Sequence, residues 1–374
     1  MEFIKVKDIC DIKTGKYDAN HSKEDGKYKF FTCALLPMKA DTYSFDGKLV
    51  MLPGNGANLG EVMYYEGKIE AYQRTYVLHN INIEAKFLYY FLKLNWKKYI
   101  LRRQIGSATN YMKLEDILNF EVPNISLDMQ KKIIDILDGA QRLIDKRKKQ
   151  IEELDLLVKS KFIEMFGNPS TNSKGWILDK LSNCLINIEN GKSFICENYK
   201  RKGEYPAILK LSAVTYGVYN QFENKALIDE FSFVEKVEVK KSDLLFTRKN
   251  TPELVGMSAY VYETEPSLMM PDLIFRLNTN ENINKIFLWK LINHDLFREK
   301  IKALSNGSAK SMSNISKQRL MELKIPVPPI ELQNQFAEFV KQVDKLKFEM
   351  EKSLKELENN FNSLMNKAFK GELF

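Results

Sequence analysis

Apolar residues recur along two stretches of about forty residues with the alternating four-three spacing of a helical seam. Ile133, Leu137, Ala140, Ile144, Arg147, Ile151, Leu154, Val158, Lys161 and Met165 mark the first. Phe336, Val340, Val343, Lys347, Met350, Leu354, Leu357, Phe361, Leu364 and Ala368 mark the second. Such spacing belongs to long helices that wrap on a partner helix. The two series coincide at an offset of 203 residues, and their polar positions are complementary. Arg147 and Lys161 fall where the second seam has Met350 and Leu364, and Lys347 falls where the first has Ile144. Each helix therefore suits the other better than a copy of itself, which predicts an antiparallel pair with pseudo-two-fold symmetry. Forty helical residues make a rod of roughly 60 Å at about 1.5 Å per residue.

The offset extends beyond the helices. Pro123-Asn124-Ile125-Ser126-Leu127-Asp128-Met129-Gln130 lines up with Pro326-Val327-Pro328-Pro329-Ile330-Glu331-Leu332-Gln333. With small insertions, Gly106-Ser107-Ala108 matches Gly307-Ser308-Ala309, Phe87-Leu88 matches Phe287-Leu288, and Ile12-Lys13-Thr14-Gly15-Lys16 matches Ile188-Glu189-Asn190-Gly191-Lys192. A repeat of this length predicts a tandem of two units. The expected boundaries are a globular block at 1–126, a helix at 127–166, a second block at 167–329 and a second helix at 330–374. Within each block, short strand-like runs flank a loop, 53–60 in the first and 248–253 in the second, and helical patterns follow at 87–103 and 287–303. The fold class expected is α/β (α+β): two similar domains separated by two long antiparallel coiled-coil helices.

Charge and composition narrow the function. The chain has 374 residues, 44% hydrophobic and 28% charged, the composition of an ordinary globular protein. Its net charge is +8. The two blocks carry +3 and +5 of this, the helices +1 and −1, so the positive charge lies in two separate places that suit a polyanion. The longest apolar run, 87–92, is far short of the roughly 20 residues of a membrane span. The first residues alternate charged and apolar side chains without the core of a secretory signal, which predicts a cytoplasmic location and no membrane partner. Cys10, Cys33, Cys184 and Cys196 lack metal-site or redox spacing, and only three histidines occur, so no metal site and no imidazole-based catalysis are expected.

Two alike, basic heads on a helical spacer are what a reader of two separated half-sites on duplex DNA requires. Different loops on a shared scaffold would read different bases through Arg, Lys, Asn and Ser. The candidates are Arg74, Asn110, Tyr111 and Lys113 in the first block, and Arg248, Lys249, Asn250, Lys310 and Ser311 in the second. Catalytic motifs are missing. The glycine run at 54–60 has the wrong spacing for a nucleotide loop, no phosphate loop occurs, and Asn168-Pro169-Ser170 is not a methyltransferase pocket. Asp46 with Glu66 and Lys68 resembles a nuclease centre but has no counterpart in the second block. A self-sufficient restriction or modification enzyme and a protein-binding coiled-coil scaffold are the alternatives.

The chain resembles the specificity subunit of Type I restriction-modification systems over nearly its whole length. The resemblance is carried by Phe120-Glu121-Val122-Pro123 through Gln130-Lys131-Lys132-Ile133-Ile134 and by Ile325-Pro326-Val327-Pro328-Pro329-Ile330-Glu331-Leu332-Gln333. The two Gly-Ser-Ala segments and Phe162-Ile163-Glu164-Met165-Phe166-Gly167-Asn168-Pro169 add to it. The first copy has Pro123-Asn124 where the family usually has a double proline. The resemblance implies a non-catalytic subunit that reads a bipartite site, one half per domain. It further implies docking of two methyltransferase subunits that modify adenine N6, with restriction and translocase subunits completing the assembly. S-adenosylmethionine, ATP and Mg²⁺ would belong to those partners, with no cofactor in this chain.

Overall fold

The computed structural model describes residues 2–103, 110–305 and 312–373. The chain divides into two compact units, Met1–Lys149 with Met350–Phe374, and Gln150–Glu349.

In the first unit, Asp11–Thr14 (β2), Thr75–His79 (β8), Lys48–Pro53 (β5) and Met63–Glu66 (β6) form an antiparallel sheet in that order. A second sheet places Tyr28–Phe31 (β3) between Met38–Ala40 (β4), antiparallel, and Ile69–Ala71 (β7), parallel. Phe3–Lys5 (β1) pairs with Glu121–Pro123 (β9). The helices are Ala85–Leu101 (α1), Leu114–Leu118 (α2) and the first part of Leu127–Phe166 (α3). β5 lies between two neighbours, so its run Leu49-Val50-Met51-Leu52 is buried throughout rather than alternating.

The second unit repeats this plan and adds one short two-stranded pair. Leu185–Asn190 (β11), Ile274–Thr279 (β18), Leu244–Thr247 (β14) and Ser258–Tyr260 (β16) make the antiparallel sheet. Ala207–Leu209 (β12) sits between Asn224–Ala226 (β13), antiparallel, and Leu268–Met269 (β17), parallel. Ile177–Lys180 (β10) pairs with Lys324–Val327 (β20), and Lys249–Asn250 (β15) with Ser313–Asn314 (β19). Its helices are Ser212–Thr215 (α4), Lys285–Asn293 (α5), Asp295–Lys302 (α6), Lys317–Met321 (α7) and part of Ile330–Lys370 (α8). The single helix expected at 287–303 is two helices. His294 has an extended backbone and accepts the N–H of Leu296 through Nδ1 at 3.3 Å, which ends α5 and caps α6.

The repeated glycines mark close approaches. A Cβ on Gly15 would lie 1.7 Å from the carbonyl oxygen of Ala71, and one on Gly191 would lie 1.9 Å from that of Pro271. Only glycine lets β2 and β11 pass so near the neighbouring backbone.

The long helices join each unit's core through their seams. In the first unit Ile133, Leu137 and Ile144 share a core with Phe361, Met365 and Ala368, and with Leu354 and Leu357 at its edge. Lys148 pairs with Glu358 at 3.0 Å. In the second unit Leu154, Val158, Phe336, Val340 and Val343 are buried, and Ile151 is half-buried. There, stepping forward along α3 from Asp155 to Phe162 means stepping back along α8 from Lys347 to Phe336, so the two run antiparallel. The seam pattern needs one correction. Beyond Val158 the buried residues are Phe162 and Phe166 rather than Lys161 and Met165, and Met365 rather than Leu364 is the more buried at the equivalent place. At this end each helix turns toward a domain helix as well as its partner. Phe166 meets Phe287 at 4.7 Å between ring centroids, and Phe369 meets Phe87 at 5.5 Å.

The start of each long helix is fastened by a buried glutamine. Gln130 accepts the backbone N–H of Glu84 at 2.9 Å and donates to the carbonyl of Ile125. Gln333 does the same with Asn284 and Pro328. No helix among the described residues is long and apolar enough to cross a membrane.

Candidate nucleic-acid interface

The glycine loop that follows β5 gathers the candidates of the first unit. Gly54 donates its N–H to the carbonyl of Arg74 at 2.8 Å and accepts from the N–H of Met112 at 3.1 Å. Gly56 donates to the carbonyl of Asn110 at 2.9 Å, and Asn55 bridges to Tyr111. A Cβ on Gly54 would fall 2.5 Å from the Arg74 oxygen, so glycine there lets backbone lie against it, while Gly56 and Gly60 hold the positive φ of 83° and 94° that the loop needs. A neighbouring loop is tied in by Cys33, whose thiol donates to Asn55 Oδ1 at 3.1 Å and whose carbonyl accepts from Asn58 at 2.8 Å. The side chains of Arg74, Tyr111 and Lys113 are exposed beside this scaffold, and Asn110 is half-buried. Lys113 precedes α2, its own N–H bonded to Asp116. An exposed guanidinium, an ammonium and a phenol beside one loop can contact phosphates, bases or both.

The corresponding place in the second unit has the same backbone with other side chains. Arg248 donates its N–H to the carbonyl of Leu273 at 2.9 Å and accepts from Ile315 at 2.8 Å, the two bonds that Gly54 makes in the first unit. Gly54 and Arg248 thus occupy equivalent positions. The Arg248 guanidinium reaches Asn314 Oδ1 at 3.3 Å and lies 5.3 Å from the centre of the Phe275 ring. Lys249 is half-exposed. Asn250 is only 6% exposed, donates to Thr215 Oγ1 at 3.0 Å and accepts from the N–H of Thr251. Its amide holds the loop. Lys310 and Ser311 lie outside the described residues, as do both Gly-Ser-Ala segments.

Asn314 escaped the sequence reading although it orients Arg248. It pairs with Lys249, far away in sequence, and no local pattern announces a pairing of two residues on each side. Elsewhere in the second unit, Arg276 meets Glu189 at 2.8 Å and Asp243 at 2.9 Å, and donates to the carbonyl of Glu238. Burial pushes the Asp243 carboxyl above its ordinary range, against the pull of the Lys240 N–H and of Arg276. These charges are committed to each other within the sheet. The Lys68 ammonium sits 4.4 Å over the Tyr43 ring. Among the described residues no group of His, Cys, Asp and Glu is arranged to hold a metal ion.

Known proteins match this architecture. The family described as Type I restriction modification DNA specificity domain matches residues 1–155 and again 183–359. The chain is 26% identical to the Type I restriction enzyme EcoDI specificity subunit of Escherichia coli, covering 99% of this chain and 88% of that one. It is 25% identical to the MjaVIII specificity subunit of Methanocaldococcus jannaschii, over 87% and 79%. Among solved structures, the Type I system S subunit from M. genitalium superposes with a TM-score of 0.60 at 18% identity, covering 98% of this chain and 96% of that one. That likeness concerns the fold.

Proposed function

The chain belongs to the Type I restriction-modification DNA specificity family, and from that premise we propose that each of its units reads one half of a bipartite duplex site. As a specificity subunit it is not an enzyme in its own right. The observation that carries the reading is the pair of equivalent loops. Gly54 and Arg248 share a backbone position and its hydrogen bonds, yet one presents no side chain and the other a guanidinium braced by Asn314. One scaffold with different side chains at its rim is what two different base sequences demand. Arg74, Asn110, Tyr111 and Lys113 serve the first half-site, and Arg248, Lys249, Lys310 and Ser311 the second, with Asn250 shaping the loop beneath.

The long helices, in this reading, space the two half-sites and dock two methyltransferase subunits that modify adenine N6. Restriction and translocase subunits complete the assembly in the cytoplasm. S-adenosylmethionine, ATP and Mg²⁺ are supplied through those partners. The experiment is to map methylated adenines in cells carrying the chain with its methyltransferase, then to repeat the mapping after replacing residues 1–122 with a foreign recognition block. One half of the methylated site changes and the other stays. A change in both halves overturns independent reading. Methylation or cleavage by the purified chain alone would favour a self-sufficient enzyme, and a complex without sequence preference would favour a protein scaffold.

A further inference from the structure

Each unit fastens its recognition block to its long helix at a second place, one helical stretch beyond the glutamine. In the first unit Asp138 of α3 receives Tyr90 Oη at 2.7 Å and Lys86 Nζ at 2.5 Å, both from α1. In the second unit Asp344 of α8 receives Tyr262 Oη at 2.7 Å, with Lys290 Nζ at 3.9 Å. Both aspartates take a tyrosine hydroxyl and face a lysine, which is hydrogen-bonded to Asp138 but only within ion-pair reach of Asp344, and the residues that supply these groups are not equivalent. Phe87 and Phe287 align α1 with α5, which puts Lys290 where Tyr90 stands, and Tyr262 comes instead from beyond the end of β16. Asp344 corresponds to Gln141, one turn along from Asp138. The trio has been assembled twice from different parts.

Stability alone does not call for it. Apolar side chains of similar volume hold such an interface as well as a half-buried ion pair, because desolvating the charges offsets most of their attraction. What the polar trio adds is direction: apolar contacts tolerate sliding, whereas a carboxylate that must accept a tyrosine hydroxyl with a lysine beside it does not. Burial, followed by the bond to the carboxylate, lifts the Tyr90 hydroxyl above its ordinary range; burial and the Asp344 charge do so for Tyr262. Both stay protonated and keep donating.

We propose that Asp138 and Asp344 are positioning residues that fix the direction of each long helix relative to its recognition block, so that half-site separation is read to a single base pair. This rests on the bipartite reading above. The lever arithmetic supports it. Gln130 and Asp138 lie about 12 Å apart along α3, and Phe166 about 54 Å from Gln130. A looseness of about 1 Å at Asp138 would swing the far end of α3 by 4 to 5 Å, more than the roughly 3.4 Å rise of one base pair.

The test uses the full chain in complex with its methyltransferase subunits. A duplex recovered from a randomised pool by the wild-type complex is resynthesised with one base pair added or removed between its half-sites. Binding to the three duplexes is compared for wild type, Asp138→Leu, Asp344→Leu and the milder Tyr90→Phe and Tyr262→Phe. The expected result is a roughly tenfold loss of preference for the original spacing in the Leu variants, the size of one good polar contact, with little change in affinity for the original duplex. Asp138→Glu restores most of the preference. Variants that melt lower but keep the wild-type ratio overturn the proposal, as does an unaltered ratio in both Phe variants should the Leu variants not fold. A wild-type complex indifferent to spacing overturns the bipartite reading itself.

Discussion

Gln333 accepts the backbone N–H of Asn284 at 2.9 Å while its own side chain is wholly buried. Gln130 is 2% exposed and repeats the contact with Glu84 at the same distance. Gln333→Leu leaves a buried N–H and two carbonyls without this partner, and we expect a loss of about 1–3 kcal/mol of stability. Gln130→Leu should cost a similar amount in the other unit. Denaturant unfolding of each variant and of the double variant checks this, and the two effects should add because the sites share no partner.

Gly15→Ala and Gly191→Ala should each destabilise their unit severely, since the new methyl would stand within 2 Å of a carbonyl oxygen that belongs to backbone and cannot rotate away. Overpacking of this kind costs about 1–3 kcal/mol or more. Gly139→Ala is the control. Its Cβ would meet nothing nearer than 3.8 Å, at the end of the Arg142 side chain, and alanine is the better helix former. Thermal unfolding should therefore rank the three variants, with Gly139→Ala at or above wild type.

The long helices could be read from the sequence because their burial pattern is local and sustained. The glutamines and glycines stood out through repetition before a reason for them was visible. Three things stayed hidden. The shift from Lys161 to Phe162 depends on Phe287, a residue over a hundred positions away. The break at His294 depends on a side-chain cap that a run of helix formers masked. The Tyr-Asp-Lys trios occupy non-equivalent positions, so a search for repeats passes over them. Of the interface candidates, Arg74, Asn110 and Tyr111 gather at one loop through backbone bonds that no side-chain pattern encodes. Asn250, chosen for its amide, lies beneath the surface it was expected to form.

Burial holds the His294 imidazole below the ordinary histidine range; the Asp295 charge opposes this and Lys159 adds to it. An unfolded chain takes up this proton near pH 6.5, whereas the folded unit resists it. Below about pH 6.5 the unfolded state therefore binds more protons than the folded one, so stability falls as the pH falls, and this group gives no dependence well above that pH. His294→Asn keeps an acceptor for the Leu296 N–H and cannot titrate. Its stability should fall less than that of wild type as the pH drops below about 6.5, as measured by a series of urea midpoints.

Lys113 and Lys249 should behave differently from Asn250. Replacing either lysine with alanine removes a side chain at the rim and should lower the salt slope of DNA binding by about one without changing the melting temperature. Asn250→Ala removes the bond to Thr215 from inside the loop. It should cost about 1 kcal/mol or more of stability and weaken discrimination at the second half-site through the displaced loop. Filter binding across a salt series, set beside thermal unfolding, separates the two kinds of loss.

Lengthening both long helices tests the spacer directly. Four residues inserted in α3 and four at the matching place in α8 preserve the antiparallel seam nearly in phase, since four residues are close to one turn. They add about 6 Å, near two base pairs at about 3.4 Å each. Insertion in one helix alone misaligns the facing seams, burying charges such as Lys347 against the wrong neighbours, and should destabilise the pair. The matched variant is expected to fold and to methylate sites whose half-sites are unchanged in sequence but about two base pairs further apart. Methylated sites with the original separation would show that the helices do not set the distance.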